Sequence, residues 1–84
     1  MPYRIDFLPR ARHELAKLPN LAGERIAGAI DALIDNPRPP GCKKLVGLYA
    51  WRIRIGDYRV LYQIRDERLL VLVVRIGHRR EVYD

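Results

Sequence analysis

The stretch WRIRIGDYRVLYQIR, residues 51–65, decides the fold. Apolar and polar residues alternate on either side of Gly56-Asp57, so the segment reads as two strands joined by a two-residue hairpin turn, with Gly56 free to take a positive φ. If those two residues form the loop, Trp51 faces Tyr62, Ile53 faces Val60 and Ile55 faces Tyr58. These six share one face, which is expected to be the buried one. The other face receives Arg52, Arg54, Arg59, Leu61, Gln63 and Arg65, with Arg54 directly opposite Arg59. Like charges so placed repel and destabilise the pair. No carboxylate belongs to this face, because Asp57 lies in the turn and Asp66 and Glu67 in the next one. Arginines on a sheet face usually fan out into water, yet a guanidinium cluster on a rigid platform is also what a phosphate-binding surface requires.

Working outward, YRIDF alternates Tyr3, Ile5 and Phe7 against Arg4 and Asp6, the pattern of a half-buried strand. Pro9 suits a first helical turn, and Leu8, Ala11, Leu15 and Leu18 give that helix one apolar face. LPN at 18–20 breaks it. A second helix carries Ile26, Ala29, Ile30, Leu33 and Ile34 on one stripe and stops before Pro37. So short a link predicts an antiparallel helical hairpin. Residues 36–48, NPRPPGCKKLVGL, read as a Pro/Gly-rich connection with no element of their own. Three strands follow at about 50–55, 58–65 and 68–76, the last apolar at almost every position, as for a central strand covered on both faces. The expected fold is α+β: an N-terminal strand, a two-helix antiparallel hairpin, then a three-stranded antiparallel meander completing a four-stranded sheet. The face occupied by Arg75 is left open, because the RDER turn does not fix the register of the last strand.

With 84 residues the chain has room for one domain, spanning 1–84. Hydrophobic content of 49% argues against disorder. Cys42 stands alone, which excludes an internal disulfide and suits a reduced, cytoplasmic setting. The opening MPYRIDF lacks an apolar h-region, so no secretory signal is expected, and LLVLVV at 69–74 is too short to span a bilayer. Net charge is +6. Residues 1–36 balance five bases against five acids, whereas residues 37–84 hold eleven bases and five acids. A one-sided basic field points to a polyanionic partner.

The tail GHRREVYD brings His78, Arg79, Arg80 and Tyr83 within a few residues. Near the arginine face they would add a titratable imidazole, further cations and a ring for base stacking. No spacing of His, Cys and carboxylates suggests zinc, and no Gly-rich loop suggests a nucleotide, so neither metal nor cofactor is expected.

KLVGLYAWRIRIGDYRVLYQI followed by VVRIGHRREVY resembles the RelE/ParE toxin superfamily, on its RelE-like mRNA interferase branch. The resemblance covers nearly the whole chain, from PYRIDF and KLP to Tyr83, and the segments RIGDYRVLY and GHRREVY are its most specific parts. It implies a compact RelE-like fold and a toxin encoded with a small RelB-like antitoxin that wraps it, in a complex expected to be higher-order. It also implies a metal-independent endoribonuclease that enters the ribosomal A site, against rRNA, and cuts mRNA there. Residue by residue, Arg52 and Arg54 match basic positions that grip the substrate backbone. Arg59 matches an arginine at the scissile phosphate, Arg79 a tail arginine that stabilises its charge, and Tyr83 a tyrosine that stacks on a base or positions the attacking hydroxyl. Where relatives often carry lysine, Arg52 and Arg54 cannot lose a proton and so make poor general bases.

The expected catalytic set is therefore Arg54, Arg59, His78, Arg79 and Tyr83, with His78 the candidate acid or base because it titrates near neutrality. Arg52, Arg65, Arg80, Lys43 and Lys44 are expected to bind RNA. Two other readings share the fold: a ParE-like inhibitor of DNA gyrase, and an inactive relative that only binds antitoxin.

Overall fold

The computed structural model describes residues 2–78; Arg79, Arg80 and Tyr83 lie outside the described residues. β1 (Arg4–Phe7) leads into α1 (Pro9–Ala16), and a three-residue link at 17–19 into α2 (Asn20–Ala32). β2 (Lys43–Leu45), β3 (Ala50–Ile55), β4 (Tyr58–Arg65), a 3₁₀ turn (Asp66–Arg68) and β5 (Leu70–His78) follow. The strands form one sheet in the order β1-β5-β4-β3-β2, parallel only between β1 and β5. No described helix is long and apolar enough to cross a membrane.

The hairpin register is the expected one: Trp51 pairs with Tyr62, Ile53 with Val60, Arg54 with Arg59 and Ile55 with Tyr58. Gly56 takes φ +60° while Asp57 stays out of the left-handed region, the type II′ arrangement that matches strand twist. The sheet has five strands, not four. Residues expected as structureless connection supply β2, which pairs Lys43 with Arg52, Lys44 with Trp51 and Leu45 with Ala50. A three-residue strand offers too little period-two pattern to stand out beside Pro39, Pro40 and Gly41.

Ala11, Ile26, Ile30 and Leu33 from the helices pack on Ile53, Val60, Tyr62, Val71, Val73 and Ile76 from the sheet. Tyr62 is fully buried and its hydroxyl donates to the Pro37 carbonyl at 2.8 Å, tying the 33–42 segment to the core. Burial, then the neighbouring Cys42, pushes the phenol well above its usual pKa, so it stays a donor. Arg38 donates from Nη2 and Nη1 to the two Asp66 oxygens at 2.8 and 3.2 Å, and the Tyr3 hydroxyl donates to the same carboxylate at 2.6 Å. One carboxylate thereby joins the β1 approach, the 33–42 segment and the turn before β5.

Register along β5 shifts at a bulge: Leu61 pairs with Arg75 but Tyr62 with Val73, leaving Val74 without an opposite residue. The bulge changes phase, so Val71 and Val73 face the core before it and Ile76 after it. β1 pairs only with residues 70–73, so beyond the bulge one edge of β5 has no neighbouring strand. Glu14 on α1 covers that edge: Oε1 accepts from the Ile76 amide at 2.8 Å and Oε2 from Arg75 Nε at 3.2 Å. This settles Arg75, whose guanidinium is drawn to the edge by α1.

Two outcomes are expected. Glu14→Ala should cost about 1–3 kcal/mol in denaturant unfolding and speed exchange of the Ile76 amide, and Glu14→Gln, which keeps a carbonyl acceptor, should cost less. The Arg38 hydrogen bonds, then that of Tyr3, hold the Asp66 carboxyl down at about 2 from an ordinary 3.8. A depressed carboxyl contributes stability that is complete above its unfolded pKa and is lost as pH falls through the folded one. Wild-type stability should therefore decline between about pH 4 and pH 2 more steeply than that of Asp66→Asn, measured by unfolding across that window.

Candidate nucleic-acid interface

Side chains paired across neighbouring strands lie side by side on one face, so the register lays out the face opposite the helices in rows. One row runs Lys43, Arg52, Leu61, Arg75, the last with its guanidinium turned to Glu14; the next runs Arg54, Arg59, Gly77; Gln63 and Arg65 lie farther along β4. Lys43 on β2, Arg52 and Arg54 on β3 and Arg59 on β4 thus form a staggered cluster of cations across three neighbouring strands. At Gly77 the second row has no side chain beside Arg59. On the described part of this face the acid is Asp6, at the far side on β1, with its carboxylate 3.7 Å from Arg4 Nε.

The face is not the fully solvated platform that simple alternation suggests. Arg52 is 6% exposed, and Leu45 and Leu61 are buried on this side as a small second apolar cluster. Arg59 is half-buried, and the Nε atoms of Arg52 and Arg59 are shut off from water. Arg54, Lys43 and Arg65 are exposed, the last donating to Gln63 Oε1 at 3.1 Å. Nor are the cations idle: Arg52, Arg54, Arg59 and His78 each hold an interaction partner. Partial burial fixes guanidinium direction, lowers the local dielectric and strengthens the pull on an arriving anion.

Two expected members sit elsewhere. Lys44 pairs with Trp51 and so belongs to the opposite face, away from Lys43, because alternate residues of a strand point to opposite sides. His78 pairs with Tyr58, a core-face residue, and the rings meet edge to face with centroids 5.9 Å apart. It lines a cleft at the α1 edge with Glu14, Lys17 and Leu18. The bulge at Val74 sends it there, since without the extra residue position 78 would fall on the arginine side. Arg79, Arg80 and Tyr83 are outside the described residues. Sequence reading missed Glu14 and Arg38. The signal for Arg38 was its place between Pro37 and Pro39, which leaves its backbone few conformations.

Residues 5–83 match the family described as "ParE toxin of type II toxin-antitoxin system, parDE". The chain is 34% identical over 87 residues to Toxin RelG of Mycobacterium tuberculosis H37Rv, covering 99% of this chain and 98% of the relative. It is 34% identical over 88 residues to the mRNA interferase toxin RelE of Escherichia coli K12, covering 99% and 92%. Among solved structures, the toxin-antitoxin complex RelBE2 of M. tuberculosis contains a chain that superposes with a TM-score of 0.81 at 33% identity, covering 94% of this chain and all of that one.

Each phosphate neutralised on a single strand contributes about −0.7 to the slope of log affinity against log salt. Arg54→Ala should therefore flatten that slope for a single-stranded RNA by about 0.7, whereas Arg75→Ala, whose guanidinium is committed to Glu14, should leave it unchanged.

Proposed function

The chain belongs to the RelE/ParE superfamily of type II toxins, and we propose that it works as a RelE-like mRNA interferase, cutting mRNA in the ribosomal A site and so stopping translation. The observation that carries this reading is the opposed Arg54–Arg59 pair beside Lys43 and Arg52. Guanidinium groups held close together on a rigid sheet match the charge and geometry of a phosphate backbone. The names of the relatives point the same way: RelE of E. coli is called an mRNA interferase toxin.

In the proposed reaction the ribose 2′-hydroxyl gives its proton to water and attacks the adjacent phosphorus, the P–O5′ bond breaks and the 5′-oxygen takes a proton from water, giving a 2′,3′-cyclic phosphate and a 5′-hydroxyl. Charge builds on the non-bridging oxygens, and guanidinium groups aimed there supply about 3–4 kcal/mol each. Arg59 is assigned to the scissile phosphate, Arg54 and Arg52 to the flanking backbone, and Lys43 and Arg65 to the approach. Arg79, Arg80 and Tyr83 keep the roles that the family resemblance gives them. His78, turned to Tyr58, is left off the reacting side. Permanently charged guanidiniums stabilise anions but do not move protons. Alignment of a flexible strand, worth up to about 7–11 kcal/mol when ideal, must then come largely from the ribosome. The toxin acts as a single domain in the cytoplasm, held in check by an acidic RelB-like antitoxin, and uses no metal.

The test is single-turnover cleavage of ribosome-bound and naked mRNA in EDTA, beside a gyrase supercoiling assay for the ParE-like alternative. Rapid cleavage on ribosomes and almost none on naked RNA is expected, with supercoiling untouched. Arg59→Leu should fold with the wild-type circular dichroism yet cut about 10²–10³-fold more slowly, and His78→Ala should stay within the same order of magnitude as wild type. Gyrase inhibition without mRNA cleavage would overturn the reading.

A further inference from the structure

A second cationic surface lies at the open end of the β3–β4 hairpin, away from the Arg54–Arg59 pair, where Lys44 and Trp51 of the helix-side face meet Gln63 and Arg65 of the opposite face. β3 stops pairing with β4 at Trp51–Tyr62, while β4 continues to Arg65. The gap opens into a cleft of about 520 Å³ lined by Arg38, Lys44, Tyr49, Trp51, Gln63 and Arg65. That volume lies in the range of small-ligand sites. Three of these residues are cations, and among the described lining residues there is no carboxylate.

The orientation of Arg38 selects the ligand. Its guanidinium lies over the Trp51 ring, 5.2 Å from the centroid, and its two terminal nitrogens are taken by Asp66. A fork already bonded to one carboxylate has little to offer a second, but its planar face remains for stacking. A base laid there would extend the Trp51–Arg38 stack by one layer, and Lys44 and Arg65 are the cations for its phosphates. Tyr49 adds a second ring: it is 85% exposed, and its backbone φ is +51°, a region that bulky residues rarely adopt. A strained residue showing its ring to solvent at the mouth of a cationic cleft has no packing role to explain it.

We infer that this cleft is a nucleotide-anchoring subsite, which holds one unstacked base of a single-stranded RNA and its flanking phosphates at the end of the sheet away from the Arg54–Arg59 pair. It goes beyond the proposed function, since a subsite of this kind binds RNA whether or not the protein cuts it.

Trp51 is the one tryptophan in the chain, so its fluorescence reports on the cleft directly. The probes are a hexariboadenylate, an abasic hexamer of the same phosphate count and hexaglutamate, each titrated into the full chain with affinity read by anisotropy of end-labelled probe. The hexariboadenylate should quench Trp51 and bind about tenfold tighter than the abasic hexamer. Tyr49→Ala and Lys44→Ala should each weaken it several-fold, and the quench should persist in Arg59→Leu. Equal affinity for the abasic hexamer would reduce the cleft to a counterion patch, and preference for hexaglutamate would make it a peptide surface. Loss of the quench in Arg59→Leu would place the RNA at the Arg54–Arg59 pair, and no quench at all would leave the cleft empty of RNA; each of these results overturns the inference. Failure of mRNA cleavage with the quench intact would sink the proposed function and leave this subsite standing.

Discussion

Everything on both faces of this sheet depends on the type II′ turn at Gly56-Asp57. Side chains in a strand alternate with a period of two, so a slip of β4 by one residue against β3 would carry Tyr62 and Val60 into water and Arg59 under the helices. The turn length forbids that slip, and Gly56 at φ +60° makes the turn possible without strain. The same two residues that register the core also set Arg54 against Arg59. A cationic cluster therefore comes with the hairpin geometry.

A second constraint acts where β5 outruns β1. An edge strand with bare amides invites pairing with other chains, and here a single carboxylate from α1 closes it. Glu14 takes the Ile76 amide and at the same time removes Arg75 from the pool of available cations. That assignment sharpens the basic field: the guanidiniums of the Arg52–Arg59 block lie in the part of the sheet that no helix covers, while Arg75 and Arg38 are bound into the scaffold by Glu14 and Asp66.

The chemistry of the two surfaces differs for a physical reason. On the hairpin face the cations are partly buried and close together, which concentrates positive potential where a phosphate would gain charge during cleavage. In the cleft beyond Trp51 the cations are spread around planar groups, which suits holding a base over reacting with it. A protein of 84 residues can carry both because they lie at different ends of the β3–β4 hairpin, Arg54 and Arg59 beside its turn and the cleft at its open end.

The hairpin register, the core residues on β3 and β4, the two helices and the cationic row were all legible in the chain, because each rests on local periodicity and one unambiguous turn. β2 was not, since three residues between a proline cluster and Gly47 give no periodicity to read. The face of His78 was not legible either. In LLVLVVRIGH almost every residue is apolar, so nothing in the pattern reveals that Val74 bulges, and the bulge alone decides whether position 78 lies with Arg59 or with Tyr58. The contacts of Glu14 with Arg75 and Ile76, and of Asp66 with Arg38 and Tyr3, span separations of 28 to 63 residues. They arise only when packing brings distant segments together, because a hydrogen bond carries no trace in the sequence between its partners. Period and turn chemistry thus dictated which residues could share a face, and tertiary packing decided that Arg75 and Arg38 would be tied to Glu14 and Asp66.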